Sequence, residues 1–277
     1  MPVSRLRRPL EVSGSLAIVT GAASGIGRAV ALELARQGAG VVGADLDESG
    51  AEKTAAECAE ISGRGWAERC DVADYAAVTG LAERVTDAHG IPDILVNNAG
   101  VGMTGRLTDM GIEDWRWIRS INLDGVVHGC HAFGPAMLAR GSGHVVNMSS
   151  GLAYTMRATE PAYVTTKAAV LALSRCLQAD WAAQGVGVTA VCPGVINTPI
   201  IAHTRIAGPQ ASERRRQAER VFRRGHRPET VAKVVVDAIR RNRPVAAAGW
   251  EARLGWALNR VLPVAVAQVM AAQGGNW

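Results

Sequence analysis

The chain has 277 residues, 48% of them hydrophobic and 20% charged, with five cysteines and a formal net charge of +5. A chain of this length buries a sizeable core without staples, and cysteines at 58, 70, 130, 176 and 192, odd in number and lacking a C-x-x-C pair, argue against a disulfide framework and against a zinc site. No apolar run reaches transmembrane length and residues 1–10 lack a signal-peptide core, so the expected location is cytoplasmic.

The charge is uneven: from Pro199 onward 14 Lys and Arg face 5 Asp and Glu, while the preceding part carries a net −4. That basic part has neither interleaved aromatic residues nor a recognised binding motif, so no nucleic-acid partner is expected.

After a basic arm over 1–13, Leu16-Ala17-Ile18-Val19 reads as a buried parallel strand. It runs into Thr20-Gly21-Ala22-Ala23-Ser24-Gly25-Ile26-Gly27 and then a helix ending near Gly38. Glycines 21, 25 and 27 let the backbone approach a ligand, and the amides of the helix's first turn face an anion such as a diphosphate. Such a turn also occurs for purely structural reasons. The next strand, Val41–Asp45, ends in a carboxylate 24 positions beyond Gly21. There it can accept hydrogen bonds from both adenosine ribose hydroxyls and repel a 2′-phosphate, which favours NAD over NADP. Asp45, or equally Asp47, can instead cap the helix starting near Glu48.

The alternation continues with a helix over 48–61, a strand over 65–70, a helix over 74–89 and a strand over 93–96 that runs into Asn97–Gly100. A long helix over about 113–138, a strand over 143–148, a helix over 161–183 and a strand over 186–191 follow. A helix over 228–241 and a seventh strand over 244–248 complete it. Repeated β-α units with apolar strands imply an α/β fold: a Rossmann-like, doubly wound, seven-stranded parallel sheet with helices on both faces, one domain over 14–249. Ligand-binding residues are expected at the carboxyl ends of the strands, where the winding reverses.

Tyr163 and Lys167 stand four apart on the helix opened by Pro161, so their side chains share one face. A phenol titrates near pH 10 in isolation, and a neighbouring ammonium brings it closer to a useful value for a base. Ser150, at the end of the fifth strand, can hold a substrate oxygen while Tyr163 exchanges its proton. Asn122, within the long helix, can hold a water linking Lys167 to solvent.

In this order and spacing, Thr20–Gly27, Asp71, Asn97–Gly100, Asn122, Ser150, Tyr163-Val164-Thr165-Thr166-Lys167 and Pro193-Gly194 resemble the short-chain dehydrogenase/reductase family over about 14–199. The resemblance implies an NAD(H)-dependent oxidoreductase that moves hydride between a substrate carbon and a nicotinamide ring. Tyr163 is then the general acid/base and Ser150, preferred over Ser149, orients the carbonyl or carbinol. Lys167 also binds the nicotinamide ribose, and Asn122 completes the proton relay. The cofactor site comprises Gly21, Ser24, Gly25, Ile26, Gly27, Asp45, Asp71, Val72, Asn98, Ala99, Gly100, Tyr163, Lys167, Pro193, Gly194, Ile196 and Thr198. Ile196 and the Thr198 hydroxyl meet the carboxamide. The resemblance also implies a homo-oligomer, dimer or tetramer, built on the helices over 113–138 and 161–183. A non-catalytic NAD(H)-sensing regulator and a lyase or epimerase on the same fold are the alternatives.

Beyond Pro199 the family pattern gives little guidance. A substrate lid is expected over about 195–227, and its arginine run, Glu213–Arg224, is either a receptor for an acidic substrate group or a solvated helix face. The expected pocket walls, Val101, Met103, Leu152, Tyr154, Met156, Val195 and Ile200, are mainly apolar, which suits a hydrophobic secondary alcohol or its ketone. An amphipathic extension over 250–277 has apolar residues at 250, 254, 258, 261, 262, 265 and 269, with Pro263 able to bend it. It either packs over the pocket or another subunit, or makes weak contact with an anionic membrane surface. His128 and His131, three apart, read as packing residues, and no metal is expected.

Overall fold

The computed structural model describes residues 10–273, so residues 1–9 of the basic arm and Trp277 lie outside the described residues. The first half alternates strand and helix: β1 (Leu16–Thr20), α1 (Gly25–Arg36), β2 (Gly40–Asp45), α2 (Glu48–Ser62), β3 (Gly65–Arg69), α3 (Tyr75–His89) and β4 (Ile94–Asn97). A two-residue strand β5 (Met103–Thr104), α4 (Ile112–Arg119), α5 (Gly125–Arg140), β6 (Gly143–Met148), α6 (Pro161–Trp181) and β7 (Val186–Pro193) come next. Then follow β8 (Arg205–Ile206), α7 (Ala211–Arg223), α8 (Pro228–Arg241), β9 (Val245–Ala248), α9 (Trp250–Leu258) and α10 (Val264–Gln273).

Seven strands pair in the order β3-β2-β1-β4-β6-β7-β9, every pair parallel, as the repeated β-α pattern requires. The chain winds outward from β1 to β3 and returns to the other side of β1 as β4. The winding therefore reverses between β1 and β4, and the loops leaving their carboxyl ends part there to form a crevice. Two apolar clusters cover the sheet, one built with α1 and α8, the other with α3, α5 and α6. Helix α8 shows why: Val231, Val235 and Ile239 recur every four residues beside Ala232 and Val236, and all are buried. Each such Val or Ile contributes about 2 kcal/mol of burial.

Asp47, not Asp45, caps α2, its carboxylate accepting from the Gly50 amide at 3.1 Å. The long helix expected over 113–138 is α4 and α5 joined by a wide turn of π type, Ser120–Asp124. Such a turn adds a residue without a proline or glycine to mark it, and the apolar spacing on either side reads as unbroken. Asn122 sits in it, fully buried.

The extension over 250–270 is likewise two helices, interrupted at 259–263, where Pro263 lacks an amide to continue the ladder. Much of its apolar stripe faces solvent. Trp250, Leu254, Val261 and Val269 are exposed, whereas α9 packs through Ala252 and Gly255. Among the described residues no helix is long and apolar enough to cross a membrane. Strands β5 and β8 pair as a separate two-stranded ribbon, an element too short for the pattern of the sequence to reveal.

Candidate active site

The loops after β1 and β4 meet through side chains. Thr20 Oγ1 accepts from the amides of Asn98 (3.0 Å) and Ala99 (3.1 Å), and the Asn98 side chain donates to Thr20 O at 2.9 Å. Gly21, at φ 68°, lies so close to this junction that a Cβ would stand 2.8 Å from Ala99 Cα, and one on Gly27 would overlap Gly21 O. The turn is thus closed against β4 only because these positions are glycine. Ser24, the N-cap of α1, makes no side-chain cap bond, which leaves its hydroxyl and the first-turn amides facing the crevice. Asp45 accepts from the amides of Ala23 (2.9 Å) and Asp47 (3.0 Å), which fixes its carboxylate at the crevice rim.

One cavity of about 690 Å³ follows the crevice, and all seventeen positions expected to bind the cofactor line it. At its other end stand Ser150, Tyr163 and Lys167. Ser150 acts on the Tyr163 phenol in the direction that favours its ionised form. Ser149, the competing serine, donates instead to Lys167 O at 2.7 Å and serves to fasten α6 to β6. Lys167 is 4% exposed, its Nζ 2.9 Å from Met148 O and 5.9 Å from the centroid of the Tyr163 ring.

Electrostatically, burial outweighs the expected help of the ammonium. It pushes the Tyr163 phenol up to about 12, although Ser150 pulls the other way. It also lowers Lys167 to about 8, against an opposing contribution from Cys192. The phenol is therefore held as a proton donor in the protein alone, and an additional positive charge beside it is what would turn it into a base.

Asn122 does not line this cavity. Its Oδ1 accepts from Val101 N at 2.8 Å and its Nδ2 donates to Val101 O at 2.9 Å, so the side chain fastens the exit of β4 to the wide turn. Leu152, Val195 and Ile200 line the substrate end as expected, together with Val101 and Met103. Met156 does not: it is exposed, because the 151–155 turn, closed by Thr155 Oγ1 on Gly151 O at 2.9 Å, carries it outward. Tyr154 is also outside the cavity, with its hydroxyl on Ala252 O at 2.7 Å and its ring against Trp256. Arg157, Thr159 and Glu160 take their place in the wall.

Helix α7 forms the roof with Gln217, Ala218, Val221 and Phe222. Of its arginines, Arg215 donates to Ile201 O (2.7 Å) and Thr204 O (2.8 Å), tying the helix to the turn before β8. Glu251 and Ala252 of α9 complete the wall. Nothing in the local sequence marks them. His128 and His131 bond to Val72 O and to the Tyr75 hydroxyl, each at 2.8 Å. Among the described residues no group of three or more His, Cys, Asp and Glu side chains could hold a metal ion.

A doubly wound sheet with a glycine turn at its switch point, and a Ser, Tyr and Lys set at the far end of the same cavity, defines a dinucleotide-dependent enzyme class. Comparison with known proteins agrees: the short chain dehydrogenase family matches residues 15–207, and the chain belongs to that family. The chain is 44% identical over 271 residues to "Probable oxidoreductase EphD" of Mycobacterium tuberculosis H37Rv, covering 95% of this chain and 46% of that protein. It thus spans about half the length of that relative. D-threitol dehydrogenase of Mycolicibacterium smegmatis is 40% identical over 202 residues, 72% of this chain and 76% of the relative. A crystal structure of a short chain dehydrogenase/reductase from Burkholderia phymatum in complex with NAD superposes with a TM-score of 0.83 at 31% identity, covering 91% and 94% of the two chains. The Cβ-free turn, the unbonded Ser24 hydroxyl and the carboxylate of Asp45 fit a dinucleotide cofactor.

Proposed function

We propose that the chain is an NAD(H)-dependent oxidoreductase interconverting a hydrophobic secondary alcohol and its ketone. The observation that carries this reading is that Tyr163 and Ser150 stand with the buried Lys167 in the cavity that begins at the glycine turn. The cofactor, when bound, supplies or accepts the hydride. Ser150 donates to the substrate oxygen and fixes its position. Tyr163 passes a proton to that oxygen in reduction and withdraws it in oxidation, and Lys167 holds the phenol's partner charge nearby. Asn122 positions Val101 and leaves its second Oδ1 lone pair for a water on the way to solvent.

Asp45 selects the cofactor. A carboxylate close to a 2′-phosphate costs about 1 to 4 kcal/mol in water-exposed surroundings, so turnover with NAD is expected to exceed that with NADP by roughly tenfold or more at equal subsaturating concentrations. An NADP preference would overturn this role.

For the substrate, Met103, Leu152, Val195, Ile200, Val221 and Phe222 give the cavity an apolar wall. A panel of alcohols oxidised with NAD, read by NADH absorbance, is expected to favour bulky apolar secondary alcohols. A polyol is the second reading. It is supported by the Arg157–Glu160 pair (3.2 Å) in the wall, by the buried Thr159 Oγ1, which has no hydrogen-bond partner, and by the relative named as a D-threitol dehydrogenase. Activity confined to small polyols decides for it.

A further inference from the structure

The segment after β7 passes along the reacting end of the cavity, and the sheet does not hold it. The β7–β9 ladder ends at the pair Pro193 and Ala248, with one more bond from Gly194 N to Ala248 O at 2.8 Å. Val195 N lies beyond the last rung, where it must find a partner or remain unmade. Its partner is Glu251, in the first turn of α9, whose Oε1 accepts from Val195 N at 2.8 Å. The other oxygen, Oε2, meets His226 Nε2 at 2.9 Å. His226, between α7 and α8, grips the same segment with its backbone, donating to Val195 O at 2.9 Å and accepting from Asn197 N at 2.8 Å. Ile196 and His226 form an isolated parallel bridge.

A side chain at Gly194 would run into the Glu251 carboxylate, so the glycine there leaves room for the carboxylate in this position. Partial burial pushes the Glu251 carboxyl up, but hydrogen bonds from its own amide, His226 and Val195 outweigh this and hold it below the ordinary carboxylate value. It is therefore an ionised acceptor at neutral pH, the stronger kind of partner for an amide.

We infer that Glu251 and His226 form a latch that positions the segment 194–198 against the nicotinamide end of the cavity, so that α9 and the α7–α8 junction belong to the cofactor site. The inference rests on the cofactor reading above, which puts Ile196 and Thr198 at the carboxamide. Both latch residues lie beyond residue 207, where the family match ends, yet within the stretch similar to the EphD protein. The latch is therefore an addition to the family's shared part, with Glu251 and His226 acting as positioning residues through Val195 and Asn197.

The test compares the full chain with Glu251→Ala, Glu251→Gln and His226→Gln. In hydrogen–deuterium exchange of the protein alone, Glu251→Ala is expected to speed exchange over 194–198 by about tenfold, the loss of one charge-assisted bond, while β1 and α1 stay unchanged. Glu251→Gln, which keeps one acceptor, falls between and carries the comparison if the alanine variant does not fold. NADH binding is expected to weaken by about tenfold in Glu251→Ala with ADP-ribose binding unaltered, since ADP-ribose lacks the nicotinamide. Unchanged exchange at 194–198, faster exchange spread over the whole chain, or equal weakening of both ligands overturns the latch. A wild-type protein that binds neither ligand overturns the cofactor reading instead, and the exchange contrast then decides the latch by itself.

Discussion

Tyr163→Phe is expected to lower turnover by roughly 10³-fold, the scale on which a positioned proton donor acts, while the melting temperature moves little. The substitution removes one oxygen and hardly any volume. It deletes the phenol's interaction with Ser150, worth about 1 kcal/mol at most, and in exchange relieves a half-buried phenol of its need for a partner. NADH binding, read by fluorescence, is expected to stay within a few-fold of wild type, which separates lost chemistry from lost binding. Steady-state turnover of the variant is the measurement, and activity equal to wild type would remove Tyr163 from the reaction.

Lys167→Met is expected to do two opposite things: to abolish most of the activity and to stabilise the fold. Burial holds the Lys167 ammonium at about 8 against an ordinary 10.5. At neutral pH this corresponds to about 3 kcal/mol of cost for keeping the charged form inside. Methionine fills a similar volume without a charge, and losing the bond to Met148 O returns about 1 kcal/mol, which leaves a net gain of about 2 kcal/mol. The sign follows from proton binding. Between 8 and 10.5 the unfolded chain holds the proton and the folded chain has released it, so this lysine makes wild-type stability rise with pH across that window. Below pH 8 the full cost is present. Urea unfolding at pH 7 and pH 10 checks both parts: the variant should be more stable at pH 7, and the difference should shrink at pH 10. A variant less stable than wild type at pH 7 would contradict the buried-charge account.

Much of this architecture is legible because buried parallel strands are short apolar runs and the turns between them carry glycine. Gly143–Met148 and Pro228–Arg241 occupy the residues that their patterns mark. The glycine turn, Asp45 and the Tyr163–Lys167 spacing are local, so proximity in sequence becomes proximity in space. What the pattern leaves open depends on partners far away along the chain. Whether Ser149 or Ser150 faces Tyr163 is settled by α6, which draws the Ser149 hydroxyl onto Lys167 O. The wide turn at 120–124 is hidden because it inserts a residue without a breaking residue type. Met156 reads as a pocket residue by composition, and only the closed 151–155 turn sends it to the surface. Glu251 belongs to the cavity because β9 delivers α9 beside the end of β7, a pairing across 56 residues that no local motif announces.

Helix α7 roofs the cavity yet has no buried residue, and it is moored by Arg215 and by the two-residue ribbon of β5 and β8. Selectivity and folding are thereby housed in different places. Exchanging Gln217, Ala218, Val221 or Phe222 reshapes what the cavity admits without touching either apolar layer of the sheet, so this stretch can diverge among descendants as an interchangeable cover over an unchanged machine.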